Sequence, residues 1–252
     1  YSLHDIGSPS PESRSSAGRL AWHLSAGQDM GWQKALQEVI SEKPTDIVNT
    51  FNLAGTTTQL WQAVKAQKLP LVHTLFGTYL VCFRGSMFKN GKDCGTQCSS
   101  CALLTRKRRI DSRLVDAVVG DSNAVLGRHL QHGYFSGTTD HRVINCGFRD
   151  ATIGSDARPT RGDGPLRIGF LGRLHPTKGL PVLLEACKSM AGENWELRIG
   201  GSGSPEQEAR LKAEDNPRIS FLGWQKTRDF LDTVDVMVVP SIWNDPLPRV
   251  VF

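Results

Sequence analysis

Between Leu166 and Pro248 short apolar runs alternate with helical stripes, and each run gives way to a turn rich in glycine or proline. Leu166–Leu171 has no polar side chain beyond Arg167 and reads as a buried strand. Leu180, Leu183, Leu184, Cys187 and Ala191 then fall at helical spacing. Glu196–Ile199 reads as a second strand, Ile219–Leu222 as a third and Val234–Val239 as a fourth, with a short helix over Arg228–Asp232. Ser204, Pro205 and Gln207 supply an N-cap, a first-turn proline and a capping-box partner for the helix after the second strand. Such alternation builds right-handed βαβ units on a parallel sheet, so the chain is of the α/β class.

The first half follows the same rule less clearly. Residues 1–31 are rich in Ser, Gly and Pro and read as irregular. Trp32, Ala35, Leu36, Val39 and Ile40 have helical spacing, ended by Pro44, and Asp46–Asn49 follows as a short strand. Thr56 can cap a helix carrying Leu60, Trp61 and Val64, and a strand begins at Leu71 and Val72. Ala117–Val119 reads as another strand, with Ser122 capping the helix of Val125, Leu126 and Leu130. The polar stretch Gly154–Pro165 marks a boundary, giving a first domain over 1–155 and a second over 156–252.

Ligands of open parallel sheets bind beyond the carboxyl ends of the strands, and there the unusual clusters of the second half fall. They are Gly172–Gly179 with Arg173 and Lys178, then Gly200-Gly201-Ser202-Gly203, then Gly223-Trp224, then Pro240–Pro246 with Asp245. Glycines admit a close approach to backbone N–H groups, Arg173 offers a planar fork and Lys178 a mobile charge, a set suited to a diphosphate. The plainer alternative, solvated cations on turns that merely need glycine, would not place anion-binding chemistry on all four loops. A Walker A loop is absent, and Gly201-Ser202-Gly203 lacks the third glycine of a dinucleotide fingerprint.

These segments resemble the family-4 type retaining glycosyltransferases, which have the GT-B fold of two facing Rossmann-like lobes with parallel sheets. Gly169–Gly179 resembles the family's strand and diphosphate loop, Ile199–Gly203 its second glycine turn, Phe221-Leu222-Gly223 the segment bordering the nucleobase, and Pro240–Pro246 the opening of its E-x7-E motif. In the first half Asp46-Ile47-Val48, Leu69–Val72 and Asn145–Phe148 are similar too. The resemblance implies that both lobes are incomplete here. It implies a donor site of Gly172, Arg173, Lys178, Gly201, Gly203, Gly223, Asp245, Pro246 and Leu247, with Arg173, Lys178 and Asp245 serving catalysis. Transfer would retain anomeric configuration, with no cofactor required and the two cations in place of a divalent ion. The donor would be a nucleotide sugar and the acceptor a glycan or lipid-linked acceptor.

Two departures matter. The usual first glutamate of the motif is Asp245, and a position that is often histidine in the family reads Phe76, which can neither give nor take a proton. His73 lies three residues earlier and faces the opposite side of a strand. A non-catalytic nucleotide-sugar-binding or metal-stabilised interaction protein is therefore an alternative, and a GT-B sugar-nucleotide epimerase another.

Outside this set, Cys82, Cys94, Cys98 and Cys101 cluster in an insertion over 82–101 that ends in C-x3-C-x2-C. A structural zinc site is the sharp reading, with an iron–sulfur cluster or unliganded thiols as alternatives. Cys146 and Cys187 read as small apolar residues. The net charge of +5 suits a polyanionic partner. Arg106-Lys107-Arg108-Arg109 reads as a solvated turn or as a peripheral contact with an anionic membrane. Nucleic acid is disfavoured, because no basic and aromatic platform is interleaved. No run of about 18 apolar residues and no leader-like start is present, which makes a cytoplasmic location the expectation, at most peripheral to the inner face of the membrane.

Overall fold

The computed structural model describes residues 32–53, 57–147, 163–212 and 216–251. Thr56, the irregular reading of 1–31 and most of the 154–165 boundary lie outside them. The chain divides into two compact units, one over Tyr1–Met87 and Cys94–Cys146, the other over Gly147–Phe252 together with Phe88–Asp93.

In the first unit, helix α1 (Trp32–Glu42) leads to β1 (Val48–Phe51), α2 (Gln59–Ala66) and β2 (Leu71–Leu75). The strand expected at Asp46–Asn49 is displaced by about two residues, because pairing fixes it: Val48 N–H donates to Pro70 O at 3.0 Å and Val48 registers with Leu71. Next in the chain comes a hairpin that belongs to the second unit, β3 (Phe88–Lys89) and β4 (Lys92–Asp93), which turns through Asn90 and Gly91, both at positive φ, as Asn-Gly favours. Helices α3 (Ser99–Leu104) and α4 (Arg106–Asp111) then precede β5 (Ala117–Gly120), α5 (Asn123–Gln131) and β6 (Asp140–Val143). The sheet order is β1-β2-β5-β6, parallel throughout. Ser122 caps α5 as expected, its hydroxyl accepting from Val125 N–H. Trp61, Val64, Leu71, Val118, Tyr134 and Phe135 fill the core at 1 % exposure or less.

The second unit is a regular βαβ series: β7 (Leu166–Leu171), α6 (Leu180–Ser189), β8 (Trp195–Gly200), α7 (Pro205–Lys212), β9 (Ile219–Gly223), α8 (Thr227–Leu231) and β10 (Val236–Met237). All pairings are parallel in the order β10-β7-β8-β9. The capping box forms at α7, where Gln207 N–H donates to Ser204 Oγ and Ser204 N–H to Gln207 Oε1. The fourth strand is shorter than Val234–Val239, although Asp235 N–H to Arg167 O and Val238 N–H to Gly169 O extend its contact with β7. Ala191 lies beyond the end of α6. Ile168, Phe170, Leu184, Leu197 and Ile199 form the core between sheet and helices.

Candidate functional site

The strand order makes the site. From β7 the chain winds to β8 and β9 on one side, then returns to place β10 on the other. A parallel sheet opens a crevice at the carboxyl ends of the strands where the winding reverses, here those of β7 and β10. The loop after β7 carries Arg173 and a 3-10 turn, Pro176–Lys178, held by the His175 Nδ1 that accepts from Thr177 N–H. Gly179 follows at φ +70°, and a Cβ there would stand 1.8 Å from Pro240 O. Glycine therefore lets the β7 loop seat directly on the chain leaving β10, and Ile242 N–H donates to Thr177 O at 3.0 Å.

That seating brings Lys178 and Asp245 together. Lys178 Nζ donates to Asp245 Oδ2, the side chains being 22 % and 12 % exposed, and the same Nζ lies 5.8 Å from the Trp243 ring centre. Arg173 is exposed and has no ion-pair partner among the described residues. A cavity of about 280 Å³ opens beside them, lined among others by Gly172, Arg173, Lys178, Ser241, Pro248 and Val250.

The other predicted glycines contribute differently. Gly201, at φ +134°, has the Gly172 carbonyl oxygen 1.8 Å from the position of a Cβ, so its bareness lets two loops nest. Its N–H donates to Gly223 O at 2.6 Å, and Gly203 N–H to Glu208 Oε1 at 3.0 Å. Both amides expected to face an anion are thus occupied by the protein. Gly223 is at φ +67° with open space around it, and Pro246 and Leu247 are half-buried in the loop after Asp245. Of the predicted set, Gly172, Arg173 and Lys178 line the cavity, Asp245 reaches it through Lys178, and Gly201, Gly203, Gly223, Pro246 and Leu247 are not among its lining residues. Sequence reasoning missed Glu208, Pro248 and Val250. It quoted Ser241 and Trp243 in a motif without giving either a role, and Ser241 Oγ and Trp243 Nε1 prove to be buried with no hydrogen-bond partner.

In the first unit Phe76, 44 % exposed, follows β2 and stacks on Phe51 at 5.8 Å between ring centres. His73 is in the core: its Nδ1 pairs with Thr50 Oγ1, which also accepts from Trp61 Nε1. Burial, then the neighbouring His129, pushes the His73 pKa down to about 3, while burial takes His129 to about 4. Both rings are therefore neutral core groups. The basic run is helix α4 rather than a solvated turn. Arg108 is buried, donates to Tyr79 O and lies 4.0 Å from the Tyr79 ring centre, while Lys107 pairs with Asp111. Arg106 and Arg109 remain exposed beside Leu103 and Ile110, which are 73 % and 50 % exposed.

No disulfide joins the cysteines among the described residues. Cys82, Cys94, Cys98 and Cys101 line one small cavity with Val81 and Met87, and Cys82 and Cys101 Sγ are 3.8 Å apart. Burial, contact with Cys98 and the charge of Cys82 raise the Cys101 pKa to about 12. As they stand, no three His, Cys, Asp or Glu groups among the described residues are spaced to hold a metal ion. Cys187 packs in the core of the second unit, as an apolar residue would. No helix among the described residues is long and apolar enough to cross a membrane.

Residues 165–252 match the family model of glycosyl transferases group 1. Over 240 residues the chain is 28 % identical to a 42.6 kDa protein in the cps region of Klebsiella pneumoniae, covering 94 % of this chain and 62 % of that protein. Among solved structures it is similar to Anabaena HepE in complex with UDP and glucose, with a TM-score of 0.58 and 19 % identity over 88 % of this chain and 60 % of the other. It is also similar to the sucrose-phosphate synthase of Thermosynechococcus elongatus, with a TM-score of 0.62 and 16 % identity over 87 % and 56 %. The chain thus spans about 60 % of the length of these relatives. With two parallel four-stranded sheets and these structural likenesses, the chain has a GT-B-like fold, and its residues 165–252 match the glycosyl transferases group 1.

Proposed function

We propose that the complete protein transfers a sugar from a nucleoside diphosphate sugar to a glycan or lipid-linked acceptor, and that the second unit holds the donor. The observation that carries this reading is the convergence of Arg173, Lys178 and Asp245 where β7 and β10 diverge. A diphosphate in the cavity would accept from Arg173 and draw Lys178 from its carboxylate, each charge-assisted bond contributing about 1.5–3 kcal/mol. Asp245, released, would accept from hydroxyls of the sugar. As the glycosidic bond breaks, the two cations would stabilise the charge left on the diphosphate, the role a divalent ion has elsewhere. The complex of HepE with UDP-glucose makes UDP-sugars the first donors to try, and the relative from a cps region makes polysaccharide biosynthesis the first setting.

The test is transfer from radiolabelled UDP-sugars by the complete gene product. Lys178→Ala should lower kcat by about 10²–10³-fold. Phe76 favours the non-catalytic alternative, because an aromatic ring without a titratable group stands at the carboxyl end of β2. Donor binding without transfer or hydrolysis would establish that alternative.

Two finer readings belong with this one. The exposed Leu103 and Ile110, with the exposed Arg106 and Arg109 between them in the chain, suit a cytoplasmic protein that rests on an anionic membrane carrying its acceptor. Equal co-sedimentation with neutral and anionic vesicles would exclude this. The thiol cavity suits a structural zinc ion: at a Zn–S distance of about 2.3 Å a tetrahedral thiolate site has edges of about 3.8 Å, the separation of Cys82 and Cys101. Cys94 and Cys98, on the wall of the same cavity, would turn inward to complete it.

A further inference from the structure

The chain leaving β10 carries two polar atoms that nothing in the described protein satisfies. Ser241 Oγ and Trp243 Nε1 are both buried from solvent, and neither has a hydrogen-bond partner. Buried polar groups are nearly always paired, and leaving one unpaired destabilises the folded state, so such an atom at a site calls for a cause. These two sit where a cause is at hand. Ser241 lines the cavity with Gly172, Arg173 and Lys178. Trp243 stacks loosely beneath Lys178 Nζ, two residues before the Asp245 that Lys178 binds.

We propose that Ser241 Oγ–H and Trp243 Nε1–H are ligand-reading donors that hydrogen-bond oxygens of the diphosphate entering this cavity. The inference rests on the donor reading above and adds two neutral donors to its two cations. The division of labour is physical. Arg173 and Lys178 attract any anion from a distance, whereas a neutral hydroxyl and an indole N–H act only at contact and reward an oxygen in one place. Each is left unsatisfied until the ligand arrives, so its hydrogen bond adds to affinity without competing against a bond inside the protein. Lys178 differs, for it must give up Asp245.

Calorimetric titration of the complete gene product with UDP, paired with thermal unfolding of the ligand-free protein, tests the inference. Ser241→Ala should weaken UDP about tenfold, and Trp243→Phe, which keeps the ring but loses the N–H, by about three- to tenfold. Both should leave the unfolding temperature of the ligand-free protein unchanged or higher, because an unsatisfied buried group has been removed. A structural role would show the reverse: unchanged UDP affinity or a lowered unfolding temperature, and either result overturns the inference. If Lys178→Ala abolishes binding while both new variants bind like the parent, this inference fails and the donor reading stands. If the parent itself does not bind UDP or any nucleoside diphosphate, both fail together.

Discussion

Lys178 and Asp245 are 67 residues apart in the chain and form an ion pair at the carboxyl edge of the second sheet. The pair exists because β7 and β10 are neighbours and because Gly179 lets their loops touch. It also means that the more enclosed cation of the site is held by the protein's own carboxylate before any ligand enters. Asp245 thus competes with a phosphate for Lys178 and, under the donor reading, serves the sugar once Lys178 has moved.

This double duty predicts a split that simple loss of a ligand group would not give. In Asp245→Asn the carboxylate charge is gone while the side chain keeps its size. UDP alone should bind about two- to tenfold more tightly, because Lys178 no longer has to leave a charged partner. Transfer should nevertheless fall by at least tenfold, because the sugar hydroxyls lose a charged acceptor. Binding and turnover measured on one preparation check this, and a parallel fall in both would show that Asp245 merely holds the loop.

Gly179→Ala tests the seating itself. The new methyl would meet the Pro240 carbonyl at a φ of +70°, where an L side chain is strained even in free space. A cost of about 1–3 kcal/mol is expected, which for a protein of this size lowers the unfolding temperature by roughly 2–12 °C. UDP affinity should fall with it, because Lys178 is the preceding residue. An unfolding temperature and an affinity both equal to the parent's would mean that the two loops are not in contact in solution.

Much of the second unit could be read from its residues, because β7 is an apolar run, β8 alternates apolar with charged residues, and each strand ends in a turn marked by glycine or proline. The first unit was harder where pairing overrides local pattern. Strand β6, Asp140-His141-Arg142-Val143, is exposed along its whole length, so no hydrophobic period announces it and only its ladder with β5 defines it. The basic run misled for a related reason: Arg108 looks like its neighbours in sequence, yet it is buried on Tyr79, a partner 29 residues away. At the site, charge type and glycine spacing pointed to Arg173, Lys178 and Asp245. They could not tell that the amides of Gly201 and Gly203 are taken by Gly223 and Glu208, since that depends on which carbonyl and carboxylate the fold brings near.

The paired histidines of the first unit predict how the fold meets acid. His73 and His129 have folded pKa values pushed to about 3 and about 4 from an ordinary 6.5. Below pH 6.5 the unfolded chain takes up protons that the folded chain refuses, so their contribution is complete above that pH. It is lost as pH falls from 6.5 toward 4, by up to about 1.4 kcal/mol per pH unit for each ring. Urea unfolding at pH 7.5, 6.0 and 5.0 should show a falling midpoint, and most Asp and Glu groups do not yet titrate in that window. A midpoint constant from pH 7.5 to 5.0 would place these rings in solvent.

The thiol cavity makes a prediction independent of sugar transfer. Thiols this close in an apolar pocket resist ionising together, as the raised pKa of Cys101 reflects, and a divalent cation would reverse that preference by binding the thiolates. The complete protein, purified without chelator, should contain about one zinc per chain by elemental analysis. Removing it should lower the unfolding temperature, and restoring Zn²⁺, but not Mg²⁺, should recover it, because thiolates select the softer ion. Cys98→Ser with Cys101→Ser should abolish the metal, whereas Cys187→Ser, whose thiol is buried in the other core, should retain it. A metal-free protein that titrates six thiols once denatured would show instead that Cys82, Cys94, Cys98 and Cys101 only fill the space beneath the insertion.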